Sequence, residues 1–161
     1  MATSRFELMS ESELLTAFEE YQRRRSGIYA EPGLFTDVVD QLEAQMPRDK
    51  ARQLAGSQLL YTMAQKWYRE QRPEGKLLEV DDDVWVIQYG EVKMGRVSRI
   101  IEQGQSGKDY VYWIQPYDED LDDAYPETLL GTKFFLTELA ANHFLQACQE
   151  HLTDAEGHPL N

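Results

Sequence analysis

The fold is decided by residues 84–114, which read VWVIQYGEVKMGRVSRIIEQGQSGKDYVYWI. β-Branched and aromatic residues dominate this stretch, and both kinds of residue favour β-strands. Two short segments rich in glycine and polar residues interrupt it, at 89–91 and at 104–108. We therefore predict three strands, over 84–89, 92–101 and 110–114, that turns join into an antiparallel meander.

The residues before this stretch have helical periodicity. Ser10 and Glu13 have the spacing of a capping box, and apolar residues then recur on one helical face. The same period predicts a short second helix over 35–46. A long third helix is expected from Pro47, which suits a first helical position, to the residues just before Pro73.

Two further segments follow the predicted strands. Residues 117–127 read YDEDLDDAYPE and predict an acidic loop. Helical periodicity then predicts a helix from about Phe134 to about Leu152. Residues 153–161 are polar and lie at the chain end, so we expect a frayed tail.

Together these elements predict an α+β fold in one domain, residues 1–161. Its helical N-terminal half, with three helices over 10–72, precedes a three-stranded antiparallel β-meander and a C-terminal helix over 77–152. A length of 161 residues is usual for a single domain, and 42% hydrophobic residues are enough for a core.

The order helix, three strands, helix between residues 48 and 152 resembles the double-stranded-RNA-binding fold. Residues 138–145, ELAANHFL, have the small-residue character of that family's final helix. The family contacts phosphates with several lysines where that helix starts, and this chain has only Lys133 there. The resemblance therefore implies a shared shape, and direct nucleic-acid binding is favoured less than protein binding.

Negative charge is concentrated in the second part of the chain. The net charge is −13; residues 77–161 hold 17 acidic and 5 basic side chains, whereas residues 1–76 hold 12 and 11. Such a surface attracts basic partners and repels phosphate backbones over roughly 8–10 Å in ordinary salt. A contribution to solubility alone is the alternative interpretation.

We predict that the chain is a non-enzymatic acidic protein-binding module: an accessory, adaptor or inhibitor protein that engages a basic surface, in its strongest form as a nucleic-acid mimic. The predicted partner-binding residues are a run of carboxylates and three aromatic anchors: Asp118, Glu119, Asp120, Asp122 and Asp123, with Trp85, Tyr112 and Tyr125. The carboxylate run has no glycine for the bend that a calcium loop needs.

Two alternatives use other residues. A nucleic-acid-binding module would use Lys93, Arg96 and Arg99 together with the basic residues 23–25. A metal-dependent nuclease would instead use a carboxylate and lysine set: Glu70, Asp83, Glu91 and Lys93.

No motif for catalysis or for a cofactor is present, so we expect neither catalytic nor metal-binding residues and no cofactor. His143, Cys148 and His151 share one predicted helix. Their spacing allows two of them to meet one metal ion, and two ligands do not complete a metal site. One cysteine and the lack of a signal or membrane-spanning pattern predict a cytoplasmic protein with no membrane partner. The sequence leaves a homo-oligomer open.

Overall fold

A computed structural model describes residues 5–71, 76–103 and 109–152. The N-terminal part contains a 3₁₀ turn, Arg5–Leu8, and three α-helices: α1 (Glu11–Arg25), α2 (Leu34–Leu42) and α3 (Arg48–Gln71). The three predicted N-terminal helices are therefore present. A fourth helix, α4 (Glu138–Leu152), follows the strands.

The ends of these helices show which local signals were informative. Ser10 Oγ accepts the Glu13 N–H at 3.2 Å, and the Glu13 carboxylate accepts the Ser10 N–H at 3.0 Å. The predicted capping box is thus confirmed, and it satisfies two backbone donors that a helix start leaves free. Helix α2 ends at Leu42, earlier than its predicted end near Met46, because residues 43–46 form turns.

The sheet is antiparallel and has five strands: β1 (Asp83–Gln88), β2 (Glu91–Gln103), β3 (Asp109–Pro116), β4 (Asp123–Pro126) and β5 (Phe134–Phe135). Their order is β4-β3-β2-β1-β5. The predicted meander forms the centre of the sheet, since β1 pairs with β2 and β2 with β3. The prediction of only three strands is wrong, because a short strand is added at each edge.

Both added strands lie in segments that were predicted differently. Residues 123–126 of the expected acidic loop form β4, in which Tyr125 pairs with Tyr112 of β3. Phe134 and Phe135 pair with β1, so α4 begins at Glu138 and not near Phe134. The Thr137 hydroxyl accepts the Ala140 N–H at 3.2 Å, which caps the true helix start.

Both faces of β1 pack against other parts of the chain, one of them buried and the other partly buried. Val84 and Val86 belong to a cluster that also contains Phe134 and Ile114. The alternating residue Trp85 packs on the other face, among Phe135 and the small residues of α4. Alternate side chains of a strand point to opposite faces, so this strand is covered on both sides.

Helix α3 connects the helical part to the sheet part. Leu59 lies in the core that α1 and α2 form with α3, while Tyr61 packs against the cluster under the sheet. Helix α4 runs beside α3, where Ser57 Oγ donates to the carbonyl of Ala140 at 2.8 Å. Gly56 allows this approach, because a Cβ there would lie 3.2 Å from the His143 ring.

Three predictions lie outside the described residues: the helix end at 72–75, the turn at 104–108 and the frayed tail at 153–161. Among the helices that the structure describes, none combines the length and hydrophobicity needed to cross a membrane.

Candidate functional site

The predicted carboxylate run folds back onto β2. Asp118 and Glu119 each place a carboxylate oxygen 3.3 Å from Lys93 Nζ. Asp122 accepts a hydrogen bond from Ser98 Oγ at 2.6 Å. These contacts hold the segment against the sheet. They also pair three of its carboxylates with side chains of β2.

The other carboxylates of the run face solvent. Asp120 is exposed, and Asp123 is exposed while accepting its neighbour Ala124's N–H at 3.0 Å. Asp118 also keeps 64% of its side chain exposed beside Lys93. The segment therefore remains negatively charged toward solvent.

The three predicted aromatic anchors are not on this surface. Tyr112 is 0% exposed and Tyr125 is 7% exposed, since both lie in the core under the sheet. Trp85 packs between β1 and α4. These rings were expected at a surface because one sheet face was assumed to be open, whereas the strands that carry them are covered.

Tyr112 has a structural role instead. Its hydroxyl donates to a Glu127 carboxylate oxygen at 2.6 Å and accepts the Leu77 N–H at 2.8 Å. Burial, followed by the hydrogen bond to Glu127, raises the pKa of the phenol well above its ordinary value. This hydroxyl therefore provides a hydrogen-bond partner for the backbone N–H of Leu77, where the chain enters the sheet.

Two other large side chains are exposed in this part of the chain. Tyr117 is 59% exposed and Leu121 is 81% exposed, and both lie within the predicted acidic loop. Tyr117 Oη donates to Asp83 Oδ1 at 2.7 Å, which joins the run to the start of β1. We call the resulting patch the acidic surface; its residues are Asp81, Asp83, Tyr117, Asp118, Asp120 and Leu121.

The basic side chains of β2 contact groups of the same chain. Lys93 lies between its two carboxylates, and Arg96 Nη1 is 3.4 Å from Asp81 Oδ1. The Arg99 guanidinium lies over the Trp113 ring, 4.0 Å from its centroid. The β2 residues proposed for nucleic-acid binding are thus already engaged.

The residues of the nuclease alternative do not converge. Asp83 is at one end of β1, opposite Arg96, and Glu91 is at the other end, opposite Gln88. Six residues of strand separate these ends by roughly 17 Å. Among the described residues, no group of three or more His, Cys, Asp or Glu side chains could hold a metal ion.

A basic cleft in the helical part is a second candidate site, which the sequence did not reveal. Its volume is about 480 Å³, and the loop between α1 and α2 forms one wall. Four arginines line it: Arg24, Arg25, Arg48 and Arg52. The first two come from α1 and the others from α3, so only the fold brings them together.

A hydrogen-bonded chain of three side chains lies in this cleft. Tyr21 Oη is 2.6 Å from His143 Nε2, and His143 Nδ1 is 2.5 Å from Gln53 Oε1. With the amide oxygen as acceptor, the neutral imidazole carries its proton on Nδ1 and accepts from Tyr21. Both ring nitrogens are engaged, so His143 is not free to bind a metal with Cys148.

Stability should depend on pH through His143. Burial, and secondarily the charge of Arg25, lowers the pKa of His143 below its ordinary value of 6.5. As pH falls below 6.5, the unfolded chain gains a proton that the folded chain resists, so stability falls toward the folded pKa. Denaturant unfolding at about pH 7.5 and about pH 5.5 should show this loss, and His143→Gln should reduce it. Equal losses in both proteins would contradict the assignment.

One buried carboxylate holds the wall of the cleft. Glu20 of α1 accepts the Phe35 and Thr36 N–H groups at the start of α2, at 3.0 and 3.2 Å. It also pairs with Arg24 at 3.0 Å, and Arg24 donates to the Ala30 carbonyl at 2.8 Å. A carboxylate at a helix N-terminus satisfies free donors and complements the helix dipole.

Comparisons with family models, with curated proteins and with solved structures found no match for this chain. The double-stranded-RNA-binding resemblance implied a three-stranded sheet, and the sheet has five strands. The acidic surface and the basic cleft are therefore the two features from which a function is inferred.

Proposed function

We propose that this chain is a non-enzymatic protein-binding module, an accessory, adaptor or inhibitor protein, whose acidic surface engages a basic surface of a partner. The observation that supports it is the juxtaposition of exposed carboxylates with the exposed side chains of Tyr117 and Leu121. Interfaces commonly combine such apolar anchors with charges that steer the encounter.

One of the two anchors, Tyr117, is held in position before a partner arrives. The bond from Tyr117 to Asp83 fixes the ring, and the Tyr117 N–H donates to the Met94 carbonyl at 3.0 Å. An ordered side chain loses less conformational entropy on binding than a mobile one. Tyr117 therefore replaces Tyr112 and Tyr125 as the anchor in this proposal.

The charges of the acidic surface are only partly compensated. Lys93 contacts Asp118 and Arg96 contacts Asp81, yet Asp81 keeps 73% of its side chain exposed. Within the described part of the chain, Asp120 has no ion pair and is exposed. With 17 acidic against 5 basic side chains in residues 77–161, the field around this half is negative.

The strongest form of the proposal is that the acidic surface occupies a nucleic-acid-binding site as a mimic of phosphates. Carboxylates that stand out from a folded surface can match the basic groups of such a site. We favour direct nucleic-acid binding by β2 less, because Lys93, Arg96 and Arg99 contact the chain's own groups. We expect the module to act in the cytoplasm.

Neutralising the acidic surface should abolish partner capture. The test variant carries Asp81→Asn, Asp118→Asn and Asp120→Asn, and the tagged protein is incubated with nuclease-treated lysate of its source cells. Because steering depends on charge, we expect recovery of a stoichiometric basic protein to fall at least about tenfold, and to fall with added salt for the unmodified chain.

The matched control removes the same charge from the helical half through Glu19→Gln, Glu31→Gln and Glu70→Gln, all at exposed positions. It should capture the partner as the unmodified chain does. Equal recovery by both variants would contradict the role of the acidic surface. Recovery of nucleic acid alone from a parallel lysate without nuclease treatment would favour the nucleic-acid-binding alternative.

A further inference from the structure

We propose that the basic cleft binds a small phosphate ester that carries an aromatic or apolar group, as a nucleotide does. The cleft lies in the helical part, away from the acidic surface, so this inference is independent of the proposed function.

Charge within the cleft supports an anionic ligand. Arg24 is paired with Glu20, and Arg48 is paired with Asp40 and Glu43 at 3.1 and 2.9 Å. Within the described residues, no carboxylate lies within 4.0 Å of the guanidinium of Arg25 or Arg52. A concave site that presents two uncompensated cations focuses a positive potential on its interior.

The two unpaired cations, Arg25 and Arg52, line the same open cleft. Burial raises the pKa of Tyr21 and lowers that of His143; the charge of Arg25 opposes the first shift and adds to the second, so Arg25 lies close to both side chains at the floor. Arg52 lines the cleft from α3. Two guanidinium groups from different helices can approach one phosphate from two sides, which suits their planar donor geometry.

The floor does not repel an anion. Burial lowers the pKa of His143, and its ring nitrogens are engaged by Tyr21 and Gln53. Among the described residues, no carboxylate lines the cleft. Arg24 and Arg48 are paired with carboxylates outside the lining, so Arg25 and Arg52 are the arginines available to an incoming phosphate.

The remaining lining indicates what the phosphate is attached to. Phe35 and Val39 are buried at the inner wall, while Ile28 and Tyr29 are exposed at the rim. A volume of about 480 Å³ exceeds what a phosphate ion fills and falls within the usual range for small-molecule sites. An apolar or aromatic group next to the phosphate would contact these side chains.

The wall that carries these side chains is rigidly attached. Glu20 fixes the start of α2, and a Cβ on Gly33 would lie 2.8 Å from Glu20 Oε1, so the loop closes tightly on that carboxylate. Arg24 fixes the same loop through the Ala30 carbonyl. A preformed site loses less free energy to ordering when a ligand binds.

Calorimetric titration of the full chain with AMP, phenyl phosphate and inorganic phosphate tests the proposal. Adenosine and a ten-residue oligothymidylate are the comparison probes. We expect AMP and phenyl phosphate to bind more tightly than inorganic phosphate, and adenosine to bind far more weakly than AMP.

The double variant Arg25→Ala, Arg52→Ala should weaken AMP binding by about 100-fold, because each removes a charge-assisted hydrogen bond to phosphate. Both residues are exposed, so unchanged circular dichroism and melting would show that folding is intact. Tyr29→Ala should weaken AMP binding while sparing inorganic phosphate. Arg23→Ala, on the same helix but outside the cleft, is the matched control.

Several results would overturn the proposal. These are no binding by either ester, equal binding of AMP and adenosine, or AMP binding that the double variant leaves unchanged. Oligothymidylate binding that is much tighter than AMP binding, and lost in the double variant, would assign the cleft to single-stranded nucleic acid instead.

Discussion

Replacement of Glu20 by alanine is expected to lower the free energy of unfolding by about 3 kcal/mol, because it strands several buried donors at once. The carboxylate is 7% exposed and accepts the Phe35 N–H, the Thr36 N–H and the Thr36 hydroxyl, the last at 2.6 Å. It also compensates Arg24. The loss should appear in the midpoint of guanidinium unfolding with little change in its slope.

Glu19→Ala provides the matched control, since it removes the same charge from the adjacent, exposed position of α1. Its effect should stay within about 0.5 kcal/mol, as for most surface substitutions. If Glu20→Ala were equally mild, the carboxylate would not be the group that holds α2 and the cleft wall.

Replacement of Phe134 by alanine is expected to lower the free energy of unfolding by about 4 kcal/mol, the usual range for a fully buried phenylalanine. The ring is 0% exposed and packs edge-on against Tyr112 and Tyr125, with centroid separations of 6.2 and 5.8 Å. Its removal leaves a cavity where β5 and the segment before α4 close the core.

The neighbouring substitution Lys133→Ala removes an exposed side chain and should change stability little. Thermal and denaturant unfolding of both variants checks the difference. A loss below about 1 kcal/mol for Phe134→Ala would contradict a core position for this ring.

Local signals in the sequence predicted the elements that depend on local interactions. The capping box needs only Ser10 and Glu13, and the central strands show alternation over many residues. The strands that were missed are short. Residues 134–135 form β5, and a two-residue strand has no period to recognise.

The wrong choice of aromatic anchors has a different cause. Alternation shows which residues of a strand share a face, but it does not show whether the opposite face is covered. Here α3 and the residues before β1 cover the face that carries Tyr112, and α4 packs against the face that carries Trp85. Tyr112 is therefore buried and Trp85 partly buried. Tyr117, just after the end of β3, stays 59% exposed.

The basic cleft could not be predicted, because its parts are far apart in the sequence. Arg25 and Arg52 come from different helices, and His143 reaches the same space from α4. The cluster at 23–25 was visible in the sequence, but its assignment to a cleft requires the packing of α1 on α3. The charge composition indicated the acidic half of the chain. It did not indicate the basic cleft, because the half that contains the cleft is nearly neutral.

The most direct test of the central claim is carbodiimide cross-linking of the captured complex, since this reagent joins a carboxylate to an amine that touches it. The account predicts that mass spectrometry will find Asp81, Asp118 or Asp120 linked to lysines of the partner, and that these links disappear in the triple Asn variant. Links formed only through carboxylates of the helical half, such as Glu19 or Glu31, would contradict the claim that the acidic surface binds the partner.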